Sequence, residues 1–183
     1  MAANQKRQQK PRLFIRQGGG TSFDSICLLC NMGNESVYLR GVFIDIQTVE
    51  GEQQTAIAEK EWKGGAEAST ADDIAQGPIA SSQQMSMGSF RQLLQEACRK
   101  AGLIKGKTVS EDALFWQRLE SFTVTAIVTV GPYEKTVGAT RSFQIDQSNQ
   151  QLTSKSASTF LRSSRRDVKA LGRYLSRYID EDA

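Results

Sequence analysis

The chain has 183 residues, 39% of them hydrophobic and 23% charged, with a net charge of +3. That is enough chain for one domain with a real core, and its composition excludes wholesale disorder. It contains no histidine, which excludes Ser-His-Asp and Cys-His nucleophiles, histidine bases and most zinc chemistry.

The cysteines, Cys27, Cys30 and Cys98, are odd in number in a chain that is not small. This speaks against a disulfide framework and for a reducing compartment, the cytosol. No apolar run approaches the roughly 20 residues that span a bilayer, and the opening "MAANQKRQQKPR" lacks the apolar stretch of a secretory signal. Charge is unevenly placed: residues 1–16 carry +5, residues 155–177 carry +6, the tail 178–183 carries −3 and the remaining middle −5. Basic ends around an acidic body suggest an anionic surface as partner, phospholipid or nucleic acid. The competing reading is charge that is merely solvated.

Residues 1–10 are polar and basic without periodicity and read as a flexible leader. "RLFIR" can form a strand, and the glycines of "QGGGTS" make a loop. In "SICLLCN", Ile26, Leu28 and Cys30 share one face and Cys27 and Leu29 the other, a strand apolar on both sides. "NMGNE" turns, and "SVYLRGVFIDIQ" resumes a strand in which Gly41 interrupts the phase of Val37 and Leu39, predicting a bulge or bend. "TVEGEQ" reads as a turn, "TAIAEKEW" as a further strand, and residues 63–80 as a long small-residue loop.

Residues 89–102 have helical spacing in Phe90, Leu93, Leu94, Ala97, Cys98 and Ala101, with Ser89 as N-cap, Gln92 completing a capping box and Gly102 at the C-terminal end. A short helical turn can follow in "KGKTVSEDALFWQRLE". "SFTVTAIVTV" and "KTVGATRSFQID" are strands joined through "GPYE". The spacing then predicts a C-terminal helix over 165–179, with Val168, Leu171, Leu175, Tyr178 and Ile179 in one stripe and Arg165, Lys169 and Arg173 in another. Strands that follow one another through short turns argue for an antiparallel sandwich over a doubly wound sheet. The organisation expected is a leader at 1–10, a β-sandwich domain with an inserted helix over 11–160, and a C-terminal helix with acidic tail over 161–183.

Few residues suggest chemistry. Cys27 and Cys30 in a strand point to opposite faces and cannot converge on one ion, and a redox pair would sit at a helix N-terminus. They read as small buried residues, as does Cys98 on its helical stripe. "QGGGTS" lacks the Lys-Ser/Thr ending of a phosphate loop. Asp72, Asp73 and nearby Glu67 lack the spacing of a calcium loop. Glu61, Asp112 and Glu120 form no paired-carboxylate pattern. No catalytic residue, cofactor or metal site is assigned. The sharpest feature is basic: Lys6, Arg7, Lys10 and Arg12 at one end, and Arg165, Arg166, Lys169, Arg173 and Arg177 at the other. The C-terminal helix can pack its apolar stripe on the body and show its cations to phosphates, or lay that stripe in a lipid interface.

"PRLFIRQGGG", "ICLLCNMGNESVYLRGV" and "GATRSFQI", followed by the basic "SSRRDVKAL", resemble the soluble part of uncharacterised bacterial single-pass inner-membrane proteins. The strand–Asn-x-Gly–strand stretch is similar to bacterial immunoglobulin-like domains. The resemblance implies an N-terminal spanning helix, absent from this sequence, a basic juxtamembrane segment and a small β domain. It implies that Lys6, Arg7, Lys10 and Arg12 form a cytoplasmic flank under the positive-inside rule. It supplies no catalytic residues.

The expectation is thus an antiparallel immunoglobulin-like β-sandwich with an inserted helix at 89–102 and a basic amphipathic helix at 165–179. Its expected function is non-enzymatic interaction or scaffolding at the cytoplasmic face of a membrane, through a strand edge, the 63–80 loop or the basic helix. Strand edges can also support an oligomer or a protein partner. The alternatives are a nucleic-acid-binding or virion-type structural protein using both basic ends, and an enzyme with carboxylate or Ser-Lys chemistry.

Overall fold

The computed structural model describes residues 11–56, 77–104, 113–131, 135–149 and 151–181; for 52–56, 113–115 and 177–181 it describes the backbone. In chain order the strands are β1 (Leu13–Gly18), β2 (Ile26–Asn31), β3 (Val37–Thr48), β4 (Gly51–Ala56), β5 (Pro78–Ile79), β6 (Gln83–Ser89), β7 (Leu119–Val130), β8 (Lys135–Asp146), β9 (Gln151–Ser154) and β10 (Phe160–Arg162). The helices are α1 (Phe90–Lys100), α2 (Ala113–Arg118) and α3 (Arg165–Glu181).

Every strand pairing is antiparallel. A small sheet has the order β1-β2-β6, and a large one the order β10-β8-β7-β3-β4. β5 shares the outer edge of β3 with β4, and β9 shares that of β8 with β10. The three longest strands, β3, β7 and β8, therefore sit in the middle of the large sheet, which curls into a half-barrel. One source of curl is a bulge in β3: Leu39 pairs with Val128 but Gly41 with Ile127, leaving Arg40 as the extra residue. The bulge resets the phase, so Val37 and Leu39 point inward before it and Val42, Ile44 and Ile46 after it.

The class and strand direction are those implied by the sequence. The finer immunoglobulin-like assignment does not follow from this order, in which one sheet is much the wider and curls. β6 occupies "QQMSMGS", a stretch whose apolar alternation is limited to Met85 and Met87. β9 and β10 likewise lie in the polar segment after β8. The hairpin at Thr48–Gly51 is tighter than "TVEGEQ" suggests, so β4 begins at Gly51. The N-terminal leader, most of the 63–80 loop and "GPYE" lie outside the described residues, and so does the predicted strand "TAIAEKEW" beyond Ala56.

The core fills the space between the two sheets. Leu13, Ile15, Cys27, Leu29 and Met87 of the small sheet meet Ile44, Ile46, Phe122, Val124, Phe143 and Ile145 of the large one. α1 adds Phe90, Leu93, Leu94, Ala97 and Cys98. Phe90 lies 4.7 Å from Phe143 and 5.8 Å from Phe122, ring centre to ring centre. Ser89 caps α1 by accepting from the Gln92 N–H while Gln92 accepts from the Ser89 N–H, and Gly102 follows with φ +68°.

Two polar groups tie the sheets together. The half-buried Arg141 of β8 donates to the Ile15 carbonyl of β1 and to Ser154 Oγ. Asn31, fully buried at the end of β2, donates to the Glu35, Ile79 and Ala80 carbonyls and accepts from the Gly33 N–H.

A third layer covers the outer face of the large sheet. There Phe43 and Ile127 are buried under Leu171, Leu175 and Tyr174 of α3. Gly138, beside them, has no side chain because Leu171 occupies the space: a Cβ would lie 2.9 Å from one Leu171 methyl and 3.0 Å from the other.

The contact between Gly138 and Leu171 yields a double-mutant expectation. Gly138→Ala overpacks the site and costs about 1–3 kcal/mol; Leu171→Ala opens a cavity and costs about 2–4 kcal/mol. The double variant should lose less than the sum, because the two changes offset in volume; urea unfolding measures all three. A second expectation concerns Ser82, the non-glycine residue with positive φ among the described residues, at +61°, in the turn closed by the Gln83 N–H to Ala80 carbonyl bond. Ser82→Gly relieves that conformation and should raise stability by about 0.5–1 kcal/mol, read as a higher urea midpoint.

Candidate functional site

The outward side of α3 gathers most of the basic residues that the structure describes at this end of the chain. Ser164 caps the helix: its Oγ accepts from the Asp167 N–H at 3.2 Å and donates to Asp167 Oδ2 at 2.6 Å, while the Ser164 N–H donates to the same carboxylate at 3.0 Å. These bonds from Ser164, helped by Arg162 3.7 Å away, hold the Asp167 carboxyl below its ordinary value. The cap fixes where the helix begins, and Leu171 over Gly138 fixes how it is turned.

At about 100° per residue, Arg165, Lys169, Arg173 and Arg166 fall in one arc of about a quarter-turn. Leu171 lies on the opposite side. All four cations are exposed, and among the described residues no carboxylate pairs with any of them. Arg177 belongs to the same helix, with its side chain outside the described set. The apolar stripe is buried on the sheet at Leu171 and half-buried at Val168 and Leu175. At Leu171 it is therefore not free to lie in a lipid interface; the side chains of Tyr178 and Ile179 lie outside the described set.

Of the four predicted N-terminal cations, Arg12 is the one among the described residues, and it is not brought to this surface. Lys6, Arg7 and Lys10 lie outside the described residues. Arg12 is exposed just before β1, where its carbonyl accepts from the Met32 N–H. It belongs to the small sheet, across the core from α3. Phe160, an aromatic close in sequence to the basic helix, is 66% exposed on β10. It pairs with Thr140 and so stands on the outer face of the large sheet, the face that α3 crosses. A three-residue strand carries too little alternation to reveal that placement.

Cys27 and Cys30 point to opposite faces of β2, and all three cysteines are buried with no disulfide between them. Burial pushes the Cys27 and Cys30 thiols up from their ordinary range, away from thiolate chemistry. Among the described residues no three Cys, Asp or Glu side chains gather as a metal site, and no helix is long and apolar enough to cross a membrane. Asp72, Asp73, Glu67, Glu61 and Asp112 lie outside the described residues, and Glu120 is exposed.

The cap gives a pH expectation with a definite sign. Asp167 has a depressed pKa, so its contribution to α3 is complete above the unfolded-state value and is lost as pH falls through the lower folded value. An NMR titration should place its midpoint below 3.8. Ser164→Ala should move that midpoint up and cost about 1 kcal/mol.

Comparison with family models, curated proteins and solved structures gave no match; the reading of this surface rests on the residues themselves.

Proposed function

We propose that the protein is a non-enzymatic interaction or scaffolding module that docks on anionic phospholipid at the cytoplasmic face of a membrane, through the outward side of α3. One observation carries this reading: the helix is divided lengthwise. Its apolar side is closed by Phe43, Ile127 and Gly138, and Arg165, Arg166, Lys169 and Arg173 face away from the sheet without carboxylate partners among the described residues. The facing antiparallel sheets act, in the manner of an immunoglobulin-like sandwich, as a rigid body that presents this helix. Phe160, exposed on the same outer face, adds an apolar contact beside the basic band.

Since the stripe is occupied at Leu171, Tyr174 and Leu175, attraction by this part of the helix is electrostatic. Each cation near an anionic leaflet contributes about 1 kcal/mol, screened over a Debye length of about 8 Å at physiological ionic strength. Nucleic acid would draw on the same cations. However, Tyr174 lies edge-on to Phe43, ring centres 5.1 Å apart, and is not turned outward as a stacking platform for successive bases.

The test is co-sedimentation with vesicles of phosphatidylserine and phosphatidylcholine. Binding should weaken steeply with added salt. Replacing Arg165, Arg166, Lys169 and Arg173 together with Gln should weaken it by roughly two to three orders of magnitude. Equal binding to pure phosphatidylcholine would overturn the proposal, and tighter binding to single-stranded or duplex DNA at matched salt would move the function to nucleic acid.

A further inference from the structure

The outer face of the small sheet is less polar than the solvent side of an antiparallel sheet usually is. Phe14 and Arg16 of β1, Ile26, Leu28 and Cys30 of β2, and Gln84 and Ser86 of β6 all point away from the core. Register sets Phe14 beside Cys30 and Cys30 beside Gln84, and in the next row Arg16 beside Leu28. Met32, just past β2, is 54% exposed, and Phe14 is 41% exposed. Phe14, Arg16, Cys30, Met32, Gln83 and Gln84 border an open groove of about 500 Å³, a volume in the range of small-molecule sites.

The chemistry of the groove is lopsided. Phe14 and Met32 are its apolar walls. Cys30 is its floor, with its S–H directed to Gln84 Oε1 at 3.7 Å. Arg16 is the groove's cation, exposed and without a paired carboxylate among the described residues. A guanidinium offers a planar fork of donors that matches a carboxylate or sulfonate. Ser82, held at positive φ, borders the same groove and places Gln83 at its rim. We propose that this groove binds a small anionic amphiphile, its acid group on Arg16 and its apolar body between Phe14 and Met32 over Cys30. Arg16, the one cation among the described lining residues, stands at one side of the apolar trough and is complementary to a ligand with one charged head. The groove lies across the core from α3, so the proposal is independent of membrane docking.

Cys30 supplies a site-specific reporter. It is the thiol on the groove side of β2, 5% exposed, whereas Cys27 and Cys98 are sealed in the core. The probes are anilinonaphthalene sulfonate, which fluoresces on leaving water, and dodecanoate as its competitor. Saturable one-to-one binding is expected, with dodecanoate displacing the dye and dodecanol at least ten-fold less effective. Arg16→Gln should weaken dye and dodecanoate at least ten-fold, Arg16→Lys less, and Met32→Ser several-fold, all at an unchanged urea midpoint. Saturating dodecanoate should slow alkylation of Cys30 by N-ethylmaleimide, located by peptide mass, at least five-fold. The proposal is overturned if binding is not saturable, if Arg16→Gln binds as the parent does, or if Cys30 alkylation ignores the ligand. A concentration-dependent dimer that shields Cys30 without ligand would overturn it too, by giving the face to a second copy of the chain.

Discussion

A sheet that buries the middle of both faces needs cover on both, and that requirement organises this protein. The inner face of the large sheet closes the core against the small sheet and α1. The outer face carries Phe43 and Ile127, which would be exposed on a two-layer molecule. α3 supplies the cover, and Gly138 makes the fit by giving its side-chain volume to Leu171. Burial of these few apolar side chains holds the helix and sets its rotation about its own axis. The rotation decides which residues meet solvent.

From that rotation follows the electrostatic character of the outer surface. Side chains a third of a turn or more from Leu171 cannot reach the sheet, and there the chain places Arg165, Arg166, Lys169 and Arg173. The one acid in the first turn, Asp167, is engaged by Ser164 and Arg162 and leaves the band unneutralised. Phe160 reaches the same side because β10 pairs with β8 in a register that sets it beside Thr140. The small sheet, with Arg12 beside it, stands on the other side of the core from this surface.

The small sheet shows the opposite pattern. Its inner face is sealed by Leu13, Ile15, Cys27, Leu29 and Met87, while its outer face keeps Phe14, Ile26 and Met32 partly exposed around Arg16. No element of the described chain covers it. The two outer faces therefore differ in kind: one is a charged band over an apolar seam, the other an apolar trough lined by Arg16.

Alternation alone determined β1, β2, β3, β7 and β8. Helical spacing with the Ser89 and Gln92 cap determined α1, and the i, i+4, i+8 spacing determined the division of α3 into two stripes, because these patterns are set by backbone geometry within a few residues. Alternation also separated Cys27 from Cys30, since residues three apart on a strand face opposite ways. It could not reveal β6, β9 or β10, whose pairing depends on the hydrogen-bonding edge a neighbour offers and not on their own apolar content. Nor could it place the cations: both basic ends read alike along the chain, and only the packing of α3 on Phe43, Ile127 and Gly138 put one set in a layer apart from Arg12. Linear charge is a local property, whereas the surface it forms depends on contacts between residues distant in sequence, Gly138 with Leu171 and Phe43 with Leu171 and Tyr174.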